Sequence, residues 1–478
     1  MSLETRPRGA TGQATAQSPK NASTTPLRWM VSGLPRRSTD LPIVTRAARI
    51  DAQPVGKFSC HAVRMPRLVP IVTASAMRYR RSVAPGMKET DMRRDRSASI
   101  AALLLLAASL MTPAGGATTT TVADAPKTGA WVRIDPKPLS IGGRLYEPTC
   151  SQAEGADPTF AFWYRPGTAD GLVVYFDGGG ACWDDATCAR PRLARNVQDR
   201  RTVYKAELLP GDEVSRMQGI FDVTDARNPV RDWSMLFVPY CTGDVHSGSN
   251  TAQYRDPQTG KPYTIQHRGW DNTQVVLHWM RRNVPQPKRL LVTGSSAGAY
   301  GAATHYAALR TMYPCGRAAF LGDAGQGVTT PDFFSRRNTS WNYRLPESVF
   351  GRGAQLTADD DMVARLAAHF PRDRFAQYTT AYDGIQRAFY GMMGAEKSCD
   401  AWTIKMAEQL ERREAATNFR AYLARGETHT ILRSPLFYTE TTGGAPFADW
   451  FGALLADQPP NSEICKDCLA PPVSCAAM

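Results

Sequence analysis

The sequence predicts an α/β fold with a mostly parallel central sheet, helices on both faces and long inserted loops. Two observations predict it. Short runs rich in β-branched and aromatic residues alternate with longer stretches of helical apolar spacing, as in a sheet built by crossover connections. Two of those runs also end in glycine-rich turns, DGGGACW at Asp177–Trp183 and TGSSAG at Thr293–Gly298, where the chain must leave a strand tightly.

Taken in order, the strand-like runs are Phe160–Tyr164, Leu172–Phe176, Met235–Pro239, Arg289–Thr293, Ala318–Leu321 and Phe375–Thr379. The first ones lie close together, which predicts an antiparallel edge. Asp271–Asn283 places Val275, Val276 and Trp279 on one helical face, and Ala297–Tyr313 is alanine-rich with apolar spacing. No internal repeat is present, and one α/β domain with long loops accommodates the roughly 360 residues left after the leader described next.

The 478 residues carry a formal charge of +13, but the excess is localised. Residues 1–91 hold 15 Lys/Arg against five Asp/Glu, and 92–117 hold three against one, leaving the rest within one charge of neutrality. A nucleic-acid partner is therefore not expected. From Met92 a basic start, an apolar run and small residues up to Ala117 have the build of a secretory signal peptide, too short to span a bilayer permanently. Residues 1–91, rich in Arg, Pro, Ser and Thr, read as a disordered extension or as the product of a start codon assigned too far upstream. The expected organisation is 1–91 extension, 92–117 signal peptide, 118–135 linker and 136–478 a single α/β domain with a Cys-containing C-terminal tail. The protein is expected to be exported to the periplasm or beyond, as a monomer with no stable membrane span.

Nine of the ten cysteines lie beyond residue 117, and in an exported chain they read as disulfides, with at least one thiol free or paired elsewhere. Cys182 and Cys188 flank a short polar loop and suit a local bridge. Cys465, Cys468 and Cys475 lack a fourth ligand, so no metal and no cofactor is expected.

The chemistry starts at GSSAG. Only Ser296 has glycines at both offsets of G-x-S-x-G, since Ser295 has Thr293 and Ala297 there instead. RLLVT before it and AYGAATHYAALR after it supply the strand and helix of a nucleophile elbow. The glycine triplet after LVVYF can aim backbone N–H groups at one point, so Gly179 and Gly180 are candidates for an oxyanion hole, joined by the N–H of Ala297. A base must follow. Of the seven histidines, His61 lies in the leader, His246, His267 and His278 precede the serine, and His305 sits well down the helix after it. His369 looks like a helix C-terminus, which leaves His429, in a polar loop late in the chain. Of the acids between, Asp323 follows the first strand past the serine and Asp383 the next one. Asp383 is the expected triad acid and Asp323 a loop-anchoring carboxylate. Trp183, with Trp233 and Trp270, offers a candidate stacking surface for a sugar, with at least two of the three expected in the core.

DGGGACW, VPYCTGDVHSG, TGSSAGAYGA and AYDGIQ, followed by a late histidine, together resemble the pectin acetylesterase family of Notum-like α/β-hydrolases, from about Leu139 to Leu436. The resemblance implies an α/β-hydrolase-like fold, a Ser296–Asp383–His429 triad, and release of O-linked acyl groups, acetyl above all, from a polysaccharide or other small ester without a metal. The chain departs from the family pattern at Ala181, where plant members carry Trp, at Ser295, where Cys is frequent, and in lacking a cysteine near His429. These departures fall around the pocket and leave the substrate open. A lipid-type deacylase or acyltransferase on the same fold is the alternative, and a non-catalytic carbohydrate-binding relative a further one.

Overall fold

The computed structural model describes residues 129–396 and 398–470. Nine strands form the central sheet: β1 (Val132–Ile134), β2 (Phe162–Arg165), β3 (Gly171–Phe176), β4 (Ser234–Val238), β5 (Arg289–Ser295), β6 (Arg317–Asp323), β7 (Arg374–Thr380), β8 (Phe419–Ala424) and β9 (Glu463–Ile464). Their spatial order is β1-β2-β4-β3-β5-β6-β7-β8-β9. β2 is antiparallel to both β1 and β4, and every other adjacent pair is parallel, so the antiparallel edge lies where the sequence puts it. Among the described residues, the helices of eight residues or more are α1 (Gly269–Asn283), α2 (Ala297–Met312), α3 (Pro331–Trp341), α4 (Met362–His369), α5 (Gly384–Met392), α6 (Ala401–Glu414) and α7 (Phe447–Leu455).

The central strands read as unbroken apolar runs because both faces are covered. Every residue of β3 is buried. Leu172, Val174 and Phe176 point into one core with Val276 and Met280 of α1, Tyr306 and Leu309 of α2, Leu366 of α4 and Met406 of α6. Val173 and Tyr175 point the other way, toward Phe447, Phe451 and Leu454 of α7 and the loop residues Ile220, Phe221, Trp233 and Phe437. Each large apolar side chain buried this way contributes about 1.5–3 kcal/mol. The two faces are therefore unequal: four helices cover one, while a single helix and long loops cover the other.

Two expectations change. The stretch expected as linker, 118–135, contains β1, whose Val132–Ile134 pair with Tyr164–Phe162. A three-residue strand is too short to show a period, so the sequence did not announce it. Strand β8 was also not read: Arg420 interrupts its apolar run, and the structure places that guanidinium at the strand's end, donating to the carbonyls of Thr417 and Pro460. β8 matters because it carries the chain to His429.

Disulfides join Cys150 to Cys241, Cys182 to Cys188 as expected, and Cys465 to Cys468. Cys315 and Cys399 are disulfide-bonded as well, and no described cysteine is free. The Cys150–Cys241 bridge closes a 91-residue separation, for which loop entropy predicts stabilisation of about 4–5 kcal/mol. The leader 1–91 and the signal peptide 92–117 lie outside the described residues. No described helix is long and apolar enough to cross a membrane.

Candidate active site

β5 ends at Ser295 and α2 begins at Ala297, so Ser296 alone makes the turn, at φ 57° and ψ −123°. A non-glycine residue in that region is strained by about 1–3 kcal/mol and persists only where its surroundings hold it. Here the Ser296 N–H donates to the Asp323 carbonyl at 2.8 Å. The flanking glycines are needed for space. A Cβ on Gly294 would fall on the Gly298 carbonyl, and one on Gly298 would fall on the carbonyl of Phe176 at the end of β3. The pentapeptide thus records how closely strand, helix and neighbouring strand pass.

His429 and Asp383 meet although 46 residues separate them. His429 Nδ1 lies 2.9 and 2.8 Å from the two carboxylate oxygens of Asp383. Asp383 is fully buried and caps α5, accepting from the N–H groups of Ile385 and Gln386 at 3.0 and 2.9 Å. The Gln386 side chain adds a donor to Asp383 Oδ2 at 3.0 Å. His429 Nε2 is buried, has no hydrogen-bond partner, and belongs to a ring that lines the same cavity as Ser296. Ala297 is the first residue of α2, so its N–H has no intrahelical acceptor. Gly179 and Gly180 border the same space. Gly180 has φ 76°, and a Cβ there would strike the Val203 carbonyl.

Asp323 holds the loop rather than the histidine ring. Its carboxylate accepts from the N–H groups of Ile431 (3.0 and 3.1 Å) and Leu432 (3.0 Å), just past His429, and from Ser295 Oγ at 2.5 Å. Ser295 Oγ in turn accepts from the Tyr175 hydroxyl at 2.8 Å. Burial pushes the Asp323 carboxyl up to about 6 against these hydrogen bonds and the pull of His429.

A second clamp lies beneath the glycine triplet. Asp177, fully buried, pairs with Lys205 Nζ at 2.6 Å and with Arg433, and Lys205 also reaches Asp212 at 2.6 Å. Burial works to raise the Asp177 carboxyl, but Arg433 and Lys205 outweigh it and hold it below its ordinary range. Because Arg433 lies four residues past His429, this pairing ties the glycine loop to the histidine loop. The sequence offered no sign of it, since the partners are 256 residues apart.

The remaining histidines separate cleanly. His246, His267 and His305 are buried, and burial lowers them to about 4, about 4 and about 3, so they stay neutral in the core. His369 ends α4 and lines neither lobe of the cavity. Trp183 is a correction. It is only 2% exposed and packs edge-on against Phe333 at 4.9 Å, behind the cavity wall. The adjacent Cys182–Cys188 bridge and the bond from Trp341 Nε1 to the Cys182 carbonyl (2.7 Å) fix that segment facing inward. Trp233 is buried too.

The cavity has two lobes that meet at Ser296 and His429. One, of about 110 Å³, is walled mainly by apolar groups, among them Tyr300, Phe333, Phe334, Phe389 and Trp402. The other, of about 500 Å³, is bordered by Arg190, Arg192, Arg200, Arg201 and Arg433. Sequence reasoning missed these arginines because they are scattered through irregular chain.

The strand order and the serine at the turn from β5 to α2 define an α/β-hydrolase fold. A family model described as pectinacetylesterase matches residues 150–422, more than half the chain, and the chain belongs to that family. The match includes Ser296 and Asp383 and stops short of His429. Pectin acetylesterase 11 of Arabidopsis thaliana is 27% identical over 210 residues, 43% of this chain and 50% of the relative, so the chain spans about half the length of that curated relative. The solved structure of the Wnt deacylase Notum from Drosophila aligns over 70% of this chain and 99% of its own, at 16% identity and a TM-score of 0.45.

Proposed function

We propose that the protein is an exported serine esterase that removes O-linked acyl groups through an acyl-enzyme. The observation that carries this reading is the geometry of His429. Its Nδ1–H donates to the buried Asp383 carboxylate, which leaves Nε2 as the ring's unpartnered acceptor, and the ring lines the same cavity as Ser296. In that tautomer His429 takes the Ser296 Oγ proton as the oxygen attacks an ester carbonyl, and Asp383 stabilises the imidazolium that forms. The N–H groups of Gly179, Gly180 and Ala297 receive the tetrahedral oxyanion. Each such donor is worth on the order of a hundredfold in rate. His429 then protonates the leaving alcohol, and water, deprotonated by the same nitrogen, releases the acid.

The arginine-bordered lobe suits an alcohol moiety that carries negative charge, such as an acidic polysaccharide. Arg201 pairs with Asp199, whereas Arg190, Arg192 and Arg200 have no carboxylate partner among the described residues. The disulfides fit an oxidising compartment, which supports export.

A fluorophosphonate probe tests the reading directly. The wild-type protein is expected to label, Ser296→Ala is not, and His429→Ala is expected to lose turnover while His369→Ala keeps it. Absence of label on the wild type, or label persisting on Ser296→Ala, would sink the esterase reading in favour of a non-catalytic binding protein.

A further inference from the structure

The smaller lobe is lined by a guanidinium that no carboxylate pairs with among the described residues, its polar neighbours being the Tyr343 and Tyr300 phenols. Arg337 of α3 lines it, is 5% exposed, and has neither Nε nor Nη2 hydrogen-bonded. These two donors form one side-on fork of the guanidinium, the geometry that grips a carboxylate with two parallel bonds. Aromatic rings pack against the group: its central carbon lies 3.9 Å from the Phe334 ring centroid and 4.0 Å from that of Tyr343. The polar groups that act on it are the phenols of Tyr343 and Tyr300, and no carboxylate pairs with it among the described residues.

Two neighbours show that this is specific to Arg337. Arg413 borders the same lobe and is equally buried, yet it is satisfied, with Asp361 Oδ2 at 2.6 Å and the Gln326 carbonyl at 3.0 Å. Asp360, the carboxylate that borders the lobe, pairs with Arg365 instead. A guanidinium remains charged even when buried, and leaving one without acceptors in an apolar wall is costly. The two unpartnered nitrogens are closed to solvent in the folded protein, so their desolvation is already complete, and an anion that displaces the side chain slightly to reach them adds the pairing without repeating that cost.

Size points the same way. About 110 Å³ is room for about four waters at ~30 Å³ each, whereas an acetyl group places a single methyl beyond its carbonyl. Resting on the esterase reading, we infer that this lobe receives the acyl side of the ester, and that Arg337 selects acyl groups ending in a carboxylate, the half-esters of short dicarboxylic acids.

The test compares methyl 6-O-acetyl-, 6-O-butyryl- and 6-O-succinyl-glucoside, with acid release followed by pH-stat. Butyryl and succinyl chains have the same number of carbons, so their ratio reads what the terminal carboxylate adds, and the Arg337 variants separate its charge from its bulk. For the wild type, kcat/KM is expected to be at least roughly tenfold higher for succinyl than for butyryl. Arg337→Gln should reduce that ratio at least roughly tenfold, and Arg337→Lys should retain part of it, because Lys keeps the charge but not the fork. A wild-type preference for butyryl overturns the inference without any variant. So does an Arg337→Gln enzyme with the wild-type ratio, which would make the residue merely structural. Hydrolysis of acetyl and butyryl esters with no gain for succinyl removes the acyl assignment alone. Failure on every ester, together with no fluorophosphonate label, removes the esterase reading and this inference with it.

Discussion

Asp323 and Asp383 are the same residue type, both fully buried, each at or just beyond the C-terminal end of one of two adjacent parallel strands, β6 and β7. They nevertheless do different work. Asp383 faces the ring of His429 and accepts from its Nδ1, while Asp323 faces the backbone just past that ring and the hydroxyl of Ser295. The difference shows that burial and strand position do not assign a role. What decides it is which N–H groups the fold turns toward each carboxylate.

The comparison can be broken by exchanging charge for amide at each site. Asp383→Asn keeps the shape but favours the wrong tautomer of His429, and kcat should fall by about 10⁴-fold with KM nearly unchanged. Asp323→Asn should cost less, about 10- to 100-fold in kcat, because Asn still accepts one bond while the loop that presents His429 loosens. Fluorophosphonate labelling rates would read the same order. Equal losses at the two sites would mean that Asp323 also acts on the ring.

The smallest effect concerns pH. Asp323 has its folded pKa raised by burial from 3.8 to about 6, so between those values the folded state binds more protons than the unfolded one. Its contribution to stability is therefore greatest below about pH 4 and declines as pH rises to 6, by up to about 3 kcal/mol. Urea unfolding at pH 4.5 and 7 should show that slope in the wild type and a shallower one in Asp323→Asn, the remainder belonging to Asp244, which burial also raises to about 6. An unchanged slope would place the titrating group elsewhere.

Much of the site was legible in sequence because it depends on local geometry. G-x-S-x-G marks an elbow whose glycines are required by contacts with a helix carbonyl and a neighbouring strand, and chain order then narrowed seven histidines to His429. The six strand-like runs correspond to β2 through β7, shifted by one or two residues at their ends. Short or interrupted strands were not legible: β1 has three residues, β9 has two, and β8 carries Arg420. Trp183 was misread because a tryptophan beside a glycine loop looks the same in sequence whether it faces the cavity or the core. The disulfide and Trp341 turned it inward.

By itself, then, the sequence determined the strand–turn–helix geometry at Ser296 and the chain order of Asp383 and His429 after it, because backbone strain and glycine spacing act over a few residues. Only the tertiary structure decided that Arg433 reaches Asp177, that arginines from separate loops gather on one lobe, and that Arg337 lines the other with no carboxylate partner among the described residues. Those facts depend on contacts between distant segments, and the electrostatics of a buried group is set by whichever chain happens to pack against it.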